Sequence, residues 1–442
     1  MKKTFLISDF PESSHNIYCF PAVMILLVFF IIFIIPVFAY SSDVLSQHFF
    51  HPYISVEEEY NDNIDLTPDN EKEDYITTIR PGLKYSNSDE KSGIDLDYNM
   101  GLVFYGKNNN LNYISHNASL NAKYLTKEHV NFYLKDSFIR SEDPQEREYF
   151  TSAADNKYYL STTTQRDVYW RNVVSPTVEY QFGPLSRIGV NYRNNIYRIN
   201  SSTPDNSQED YINPYFSWMI DQNNDIYLEY GYTIGNFESS SDFTGHRANA
   251  RYTNHFGLKS SVFGEYTFST RDFDPPSIDY DIHEPSVGIT YAFSPVFNAS
   301  AQVGYFIKEP KTGSSTNGIS YKAGITNRDI KTSYVLSVEG GYNEDFFTSE
   351  NLGFSRYHRL TGSITHFIGI RTSLGLSGNI EQAKYDNENR KDRIWGIGCT
   401  LSQRLLKWLI LSVDISHKIR NSDISSNDYT ENRAIFKITA AY

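Results

Sequence analysis

Between residues 57 and 66 the chain reads Glu-Glu-Glu-Tyr-Asn-Asp-Asn-Ile-Asp-Leu, five acidic side chains in ten positions. Asn61, Asn63 and Asp65 alternate as the ligands of a calcium loop do, but such a loop also needs a glycine for its sharp turn and a later bidentate glutamate. No glycine follows. The stretch is therefore expected to be the solvated end of a strand running into an acidic loop, with weak divalent-ion or lipopolysaccharide-bridging contacts as the alternative. His116, His129, His246, His255, His283, His358, His366 and His417 are dispersed, and neither a Gly-x-Ser-x-Gly elbow nor an HExxH helix accompanies them. The pattern implies no catalytic residue, no metal site and no cofactor, and the protein is expected not to be an enzyme. A hydrolase remains the third reading, and it would need a Ser or Asp beside a His at the rim of the fold.

A larger set of charged residues is spaced for a different task. Asp95, Asp97, Glu179, Glu229, Glu265, Glu339, Glu381 and Asp414 alternate with apolar neighbours, as do Lys135, Arg171, Arg187, Arg247, Arg251, Lys322, Lys331, Arg433 and Lys437. If the apolar set faces one way, both signs of charge line the other side. Such a wall either pairs its charges across strands or sorts solutes by charge at a constriction. Arg247 and Arg251, two same-face steps apart, could form part of a ladder for an anionic sugar.

The elements that hold these residues repeat one device, about ten residues with an apolar side chain at every second position, then a polar break. Residues 94–104 show it cleanly: Ile94, Leu96, Tyr98, Met100, Leu102 and Phe104 alternate with Asp95, Asp97 and Asn99. The phase recurs at 130–134, 168–182, 226–234, 299–307 and 409–415. Breaks alternate in length. Short ones fall near 182–184, 221–224, 256–257, 294–295, 327–329 and 405–407; long ones fall near 141–160, 199–210, 238–244, 270–279, 309–317, 343–353, 385–390 and 421–428. That rhythm predicts an all-β chain, a single transmembrane antiparallel up-and-down β-barrel of about 20 strands (18–22), with short periplasmic turns and longer extracellular loops. Pro81-Gly82 suggests a bulge or kink in the second strand.

A soluble sandwich would also alternate. Here, however, the polar face is expected to stay polar along the whole chain, and nothing in the sequence offers a second layer to cover the apolar face. Lipid satisfies that face directly, and closure pairs every backbone group. Tyr105, Tyr192, Tyr291 and Tyr305 would supply aromatic girdles. The chain ends on the alternating set Ala434, Phe436, Ile438, Ala440 and Tyr442, which resembles the terminal signal read by the barrel assembly machinery; Phe436, Ile438 and Tyr442 carry it.

Lys2 and Lys3, the apolar run from Ala22 to Ile35 and the small-residue spacing of Val37 and Ala39 form a secretory signal, residues 1–39. Residues 40–50 would be a short periplasmic segment and 51–442 the barrel. The net charge of −13 argues against nucleic-acid binding. Cys399 is the sole cysteine after the signal, and it alternates with Trp395, Ile397 and Leu401 on the apolar set.

Glu59-Tyr60-Asn61-Asp62-Asn63-Ile64 followed by Ile79-Arg80-Pro81-Gly82-Leu83 resembles the opening of the outer-membrane porin family known as "β-barrel porin 2". The resemblance implies a Gram-negative outer-membrane barrel encoded beside exopolysaccharide-synthesis and protein-sorting genes. The expected partners are outer-membrane lipid and lipopolysaccharide, the barrel assembly machinery, and polysaccharide or export-system components. A TonB-dependent transporter would carry a plug of about 150 residues before its barrel, and only about ten residues precede the first strand here. The expected function is a pore for polar solutes, with saccharide or exopolysaccharide as the solute. The alternative is a non-conducting docking barrel of an export system, which folded-in loops would favour.

Overall fold

The computed structural model describes residues 50–144, 166–201, 206–347, 351–386 and 390–441. Residues 1–39, where a signal is expected, residues 40–49 and Tyr442 lie outside the described residues. Twenty strands form one antiparallel sheet: β1 (Phe50–Asn61), β2 (Asp74–Ser88), β3 (Ser92–Tyr105), β4 (Tyr113–Leu125), β5 (Val130–Ser141), β6 (Val168–Gln181), β7 (Arg187–Asn200), β8 (Ser207–Met219), β9 (Asn224–Phe237), β10 (Phe243–His255), β11 (Ser260–Phe273), β12 (Tyr280–Ala292), β13 (Phe297–Pro310), β14 (Thr316–Arg328), β15 (Thr332–Asp345), β16 (Gly353–Phe367), β17 (Thr372–Tyr385), β18 (Arg390–Leu406), β19 (Leu409–Ser422) and β20 (Tyr429–Ala441). Each strand pairs with the next, and β1 pairs with β20, so the sheet closes into a barrel. The strand spacing implies a diameter of about 40 Å at the usual tilt.

One end of the barrel carries connections of two to five residues and the other carries connections of four to 26. We call them the turn end and the loop end. The order of short and long breaks is the one the sequence predicts, and the strand count is 20. The outward face is an apolar belt, with Ile54, Val56, Leu228, Val303, Ile380, Ile397, Ile415 and Phe436 all exposed. Tyr192, Tyr291 and Tyr305 face outward as girdle residues should, and Cys399 shares that face with Ile397 and Leu401.

Pro81-Gly82 does not produce a bulge. The β2–β3 register is the same on both sides of it, and only the pairs at Arg80 and Pro81 are missing. Pro176, Pro214 and Pro285 behave alike: each drops two pairs with one neighbour, keeps the register, and stays paired on its other side. A proline lacks one donor, so it costs the ladder on one side only. Gly82 has a separate role, because a Cβ there would stand 2.2 Å from Cζ of Tyr53. That ring lies across the glycine and donates from its hydroxyl to Asp97 at 2.9 Å. The ladder's one register shift among the described residues falls between Arg404 and Leu406, at the turn end of β18.

The expectation of an inward face polar along its full length is wrong at the loop end. Ile76, Val103, Tyr105, Ile139, Tyr169, Tyr197, Phe243, Tyr280, Ile282, Phe306, Tyr385, Ile394 and Tyr429 are buried there, and register places them on the face that carries the charged residues. Tyr105, expected in a girdle, is one of them. They are covered by connections that fold inward.

Candidate solute path

Among the described residues two connections pack into the barrel over several side chains, and of the ends of the β5–β6 connection Pro144 is buried and Arg166, half-buried, lies beside the first. The first is the 62–73 connection. Ile64 packs with Ile76, Val103 and Tyr105, and Leu66 is also buried. Asn63 is fully buried: its side-chain amide donates to Thr67 O at 2.8 Å and to Thr430 O at 3.0 Å. Arg166, just before β6, donates to Ile64 O at 3.2 Å and reaches the Tyr105 hydroxyl and ring.

The second is the β15–β16 hairpin. Pairing of β14 with β15 ends at Tyr321–Gly340, and Gly341 follows at φ 149°, a conformation that glycine adopts without penalty. Beyond it the hairpin turns toward the interior. Phe346 lies 4.9 Å from Phe243 and 5.6 Å from Phe273 between ring centroids, and Phe347 lies 5.4 Å from Phe237. Glu344 accepts from Arg271 and from the Tyr280 hydroxyl, each at 2.7 Å. The carbonyl of Phe347 accepts from Arg171 on β6 at 2.6 Å. Eight strands lie between β6 and β15 one way round the barrel and ten the other, so this contact crosses from one wall to the opposite wall.

Below this layer the wall is a network of paired charges. Arg359 donates to Glu339 at 2.9 Å and to Glu381 at 2.7 Å, linking three neighbouring strands. Arg193 engages Glu209, Arg251 engages Glu265, and Arg187 lies 3.6 Å from Glu179. Glu179 also accepts from Tyr215 at 2.9 Å, and Glu229 from Tyr227 at 2.6 Å. Lys84 sits 3.3 Å from Asp97, Ser86 bonds Asp95, and Thr400 donates to Asp414 at 2.5 Å.

Of the residues singled out in the sequence, register puts Asp95, Asp97, Arg171, Glu179, Glu229, Arg247, Arg251, Glu265, Glu339 and Asp414 on the inward face. Arg171 is not part of the lower wall but buried under the β15–β16 hairpin. Lys331 is not on the wall at all. It lies in the 329–331 turn, exposed at the turn end. Arg247 and Arg251 do not make a bare cationic ladder, since Glu229 lies 4.0 Å from the first and Glu265 pairs with the second. Phe436 and Ile438 face outward on β20, and Tyr442 lies outside the described residues.

The opening acidic stretch is not simply solvated. Glu57 and Glu59 face inward, where Lys437 reaches Glu57 at 2.7 Å and Arg433 grips Glu59 with two bonds of 2.9 and 2.8 Å. Asn61 donates to Glu431 at 2.8 Å. These residues join β1 to β20. Arg433 and Lys437 could be assigned to the inward set from alternation, but their partners lie more than 370 positions away, and no local pattern could name them.

The histidines are mostly outward. His116, His246, His283 and His358 each share a hydrogen bond between Nδ1 and the hydroxyl of a tyrosine on another strand, at 2.5–3.0 Å. His255 faces inward at the turn end with Asp225 at 2.7 Å. Ser261 stands opposite it in the ladder, but its hydroxyl bonds Thr290 at 2.6 Å. No group of three or more His, Cys, Asp or Glu side chains able to hold a metal ion occurs among the described residues.

At the loop end Asp74 pins the next connection. Its carboxylate accepts from the backbone of Tyr75, Lys107 and Asn108 and from the Asn108 amide, at 2.8–2.9 Å. Burial alone would raise its pKa, but these four donors outweigh it and hold the group below its ordinary value. The sign follows: the carboxylate stabilises the connection above the ordinary carboxylate pKa of about 4 and loses that effect as pH falls through the lower folded value. Hydrogen-exchange protection at residues 106–112, measured against the intrinsic rate at each pH, is expected to fall at acid pH, and Asp74→Asn should show the lowered protection already at pH 7.

Residues 227–442 match the family model "Putative beta-barrel porin 2". The match begins in β9, and the 59–64 and 79–83 segments lie outside it. No curated protein matches the sequence. Among solved structures, the ferric enterobactin receptor PfeA of Pseudomonas aeruginosa is 9% identical, with a TM-score of 0.52 over 90% of this chain and 82% of that one. The ferric citrate transporter FecA is 11% identical, with a TM-score of 0.50 over 89% and 78%. OccK3 of P. aeruginosa is 13% identical, with a TM-score of 0.42 over 89% and 96%. At such identities the likeness to the first two is one of fold.

Proposed function

From the match of residues 227–442 to a porin family model, we propose that the protein is an outer-membrane channel for polar solutes, with saccharide or exopolysaccharide segments as the solute class. The observation that carries this reading is the inward wall below the loop-end layer. Its charges are compensated in pairs, and its β8–β11 side presents Tyr211, Tyr215, Tyr227 and Phe263 among carboxylates and guanidinium groups. Aromatic faces and paired carboxylates bind neutral sugar hydroxyls and ring faces, whereas a wall of one sign would select ions. From β12 to β19 the wall is built largely of Gly, Ser and Thr, such as Ser286, Gly288, Ser300, Gly304, Gly324, Ser337, Ser363, Gly375, Ser377, Gly398 and Thr400, which leaves room beside the aromatic side.

The second reading is a barrel that docks export components without conducting. The hairpin that crosses from β15 to β6 favours it. Planar-bilayer conductance of the refolded chain distinguishes the two. Stable steps that neutral oligosaccharides block from one side support the channel. A folded barrel that conducts nothing overturns it in favour of docking.

A further inference from the structure

The rim outside the loop end is not uniform in charge. On β11–β13 it is acidic: Asp281 stands directly opposite Glu309, with Asp272 on the neighbouring strand, and Lys311 lies 3.4 Å from Asp272 and 3.9 Å from Asp279. On β17–β18 it is basic. Lys384 stands directly opposite Lys391, and Arg393 follows Lys391 on the same outward face, flanked in the ladder by Gln382 and Asn421. Glu381, Ala383, Asp392 and Ile394, the residues between them, are buried inward, so alternation fixes the three cations outward. Like charges directly opposite in a ladder repel. Among the described residues none of the three has a carboxylate within ion-pair distance; Asp386, at the end of β17, is instead shared by Lys308 at 3.9 Å and Arg356 at 3.7 Å. Asp423 meets Lys391 only through its backbone N–H.

Immediately below the cations, on the same face, the strands turn apolar. Ile380, Trp395, Ile397, Leu376, Leu401 and Ile415 are all exposed, and Trp395 sits 5.1 Å from the His417 ring. A cationic triangle directly above an apolar wall, at the level where the belt ends, matches one kind of molecule: a negatively charged head joined to acyl chains. Lysine and arginine bind phosphate through charge-assisted hydrogen bonds, and a tryptophan suits the boundary between head and chain.

We infer that Lys384, Lys391 and Arg393 form a binding site for the phosphate-bearing headgroup of an outer-leaflet lipid, whose acyl chains lie along β17–β19. The site rests on the reading that the barrel spans the outer membrane and does not depend on whether it conducts. The acidic arc on β11–β13 makes no such contact, so lipid of this class is held on one side of the barrel.

The experiment is native mass spectrometry of the purified full-length barrel with bis-phosphorylated lipid A, with its phosphate-free form, and with inorganic phosphate. Folding of every variant is checked by the heat-modifiable shift of a closed barrel in gels, which separates a failed barrel from a failed site. One tightly held lipid A is expected for the wild type, with at least about tenfold weaker retention of the phosphate-free form. K384Q/K391Q/R393Q should lose the same factor, and D272N/D281N/E309Q should keep full retention. Equal retention of both lipids by the wild type would overturn the site, as would a folded triple variant that retains lipid A unchanged. Inorganic phosphate displacing lipid A at equal concentration would overturn the lipid assignment.

Discussion

Glu344→Ala, Phe346→Ser and Phe347→Ser together are expected to raise single-channel conductance at least about threefold, because current through a wide pore follows its narrowest open section. The argument starts from what holds the β15–β16 hairpin inside. Phe346 is buried against Phe243 and Phe273, and Phe347 is half-buried against Phe237 and Phe243, at about 1.5–3 kcal/mol for the first and less for the second. Glu344 adds bonds to Arg271 and Tyr280. Without these anchors the base of the hairpin keeps the Arg171 bond to the Phe347 carbonyl and the packing of Leu352 against Ala383 and Tyr385, and its solvated tip is expected to leave the path. The three substitutions leave the strand ladder untouched, so the barrel should still give its heat-modifiable shift. Bilayer recordings of both proteins supply the check. Conductance that is identical in the two would remove the hairpin from the path. Silence in both would move the weight to the docking reading.

The second large effect concerns stability. Arg359→Leu is expected to cost about 3–5 kcal/mol, since it strands two carboxylates that the guanidinium had joined. Arg359 and Glu381 are almost fully buried, and Glu339 is about one-fifth exposed, so water can restore little of the lost compensation. The measurement is urea unfolding of the barrel in lipid vesicles, read as a lower midpoint at unchanged slope. Adding Glu339→Gln and Glu381→Gln to the same chain should recover most of the loss, because no buried charge is then left unpaired; Lys322, which lies 4.0 Å from Glu339, is exposed to water. A single variant with the wild-type midpoint would mean that the wall at this level is as wet as bulk water.

These two sites differ in how far the sequence announces them. The alternation of Glu339 with Val338 and Gly340, and of Glu381 with Ile380 and Gln382, places both carboxylates on the inward face from local pattern alone. What local pattern lacks is register, and register decides that Arg359 lies between them. The loop-end layer had a signal that went unread. At Leu102-Val103-Phe104-Tyr105 both phases of the strand are apolar, which a strand end wet on one side would not show. Likewise Phe346-Phe347 interrupts an otherwise polar break, and two adjacent aromatics in a connection need a surface to cover them. An unbroken polar lining follows from the strand centres, where Asp95 and Asp97 set the pattern, but the same strand changes composition five residues later, at Leu102. Pro81-Gly82 misled in the opposite sense: the proline costs one donor and the glycine seats a ring, with no change in register.

The bonds between β1 and β20 bear on how such a barrel is made as well as on how it stands. A sheet of this kind keeps two raw edges until its ends meet, and each edge is a template for pairing with any other strand. The edge at β1 is coded negative by Glu57 and Glu59, and its complement at β20 is positive through Lys437 and Arg433. Of the strands that run as β20 does, β10 also carries two inward cations at that spacing, but Arg247 and Arg251 already face Glu229 and Glu265 on their own neighbours, whereas β20 brings Arg433 and Lys437 to β1. The acidic stretch then acts as an address read once, at the last docking event, and it biases the growing sheet against shutting into a smaller ring.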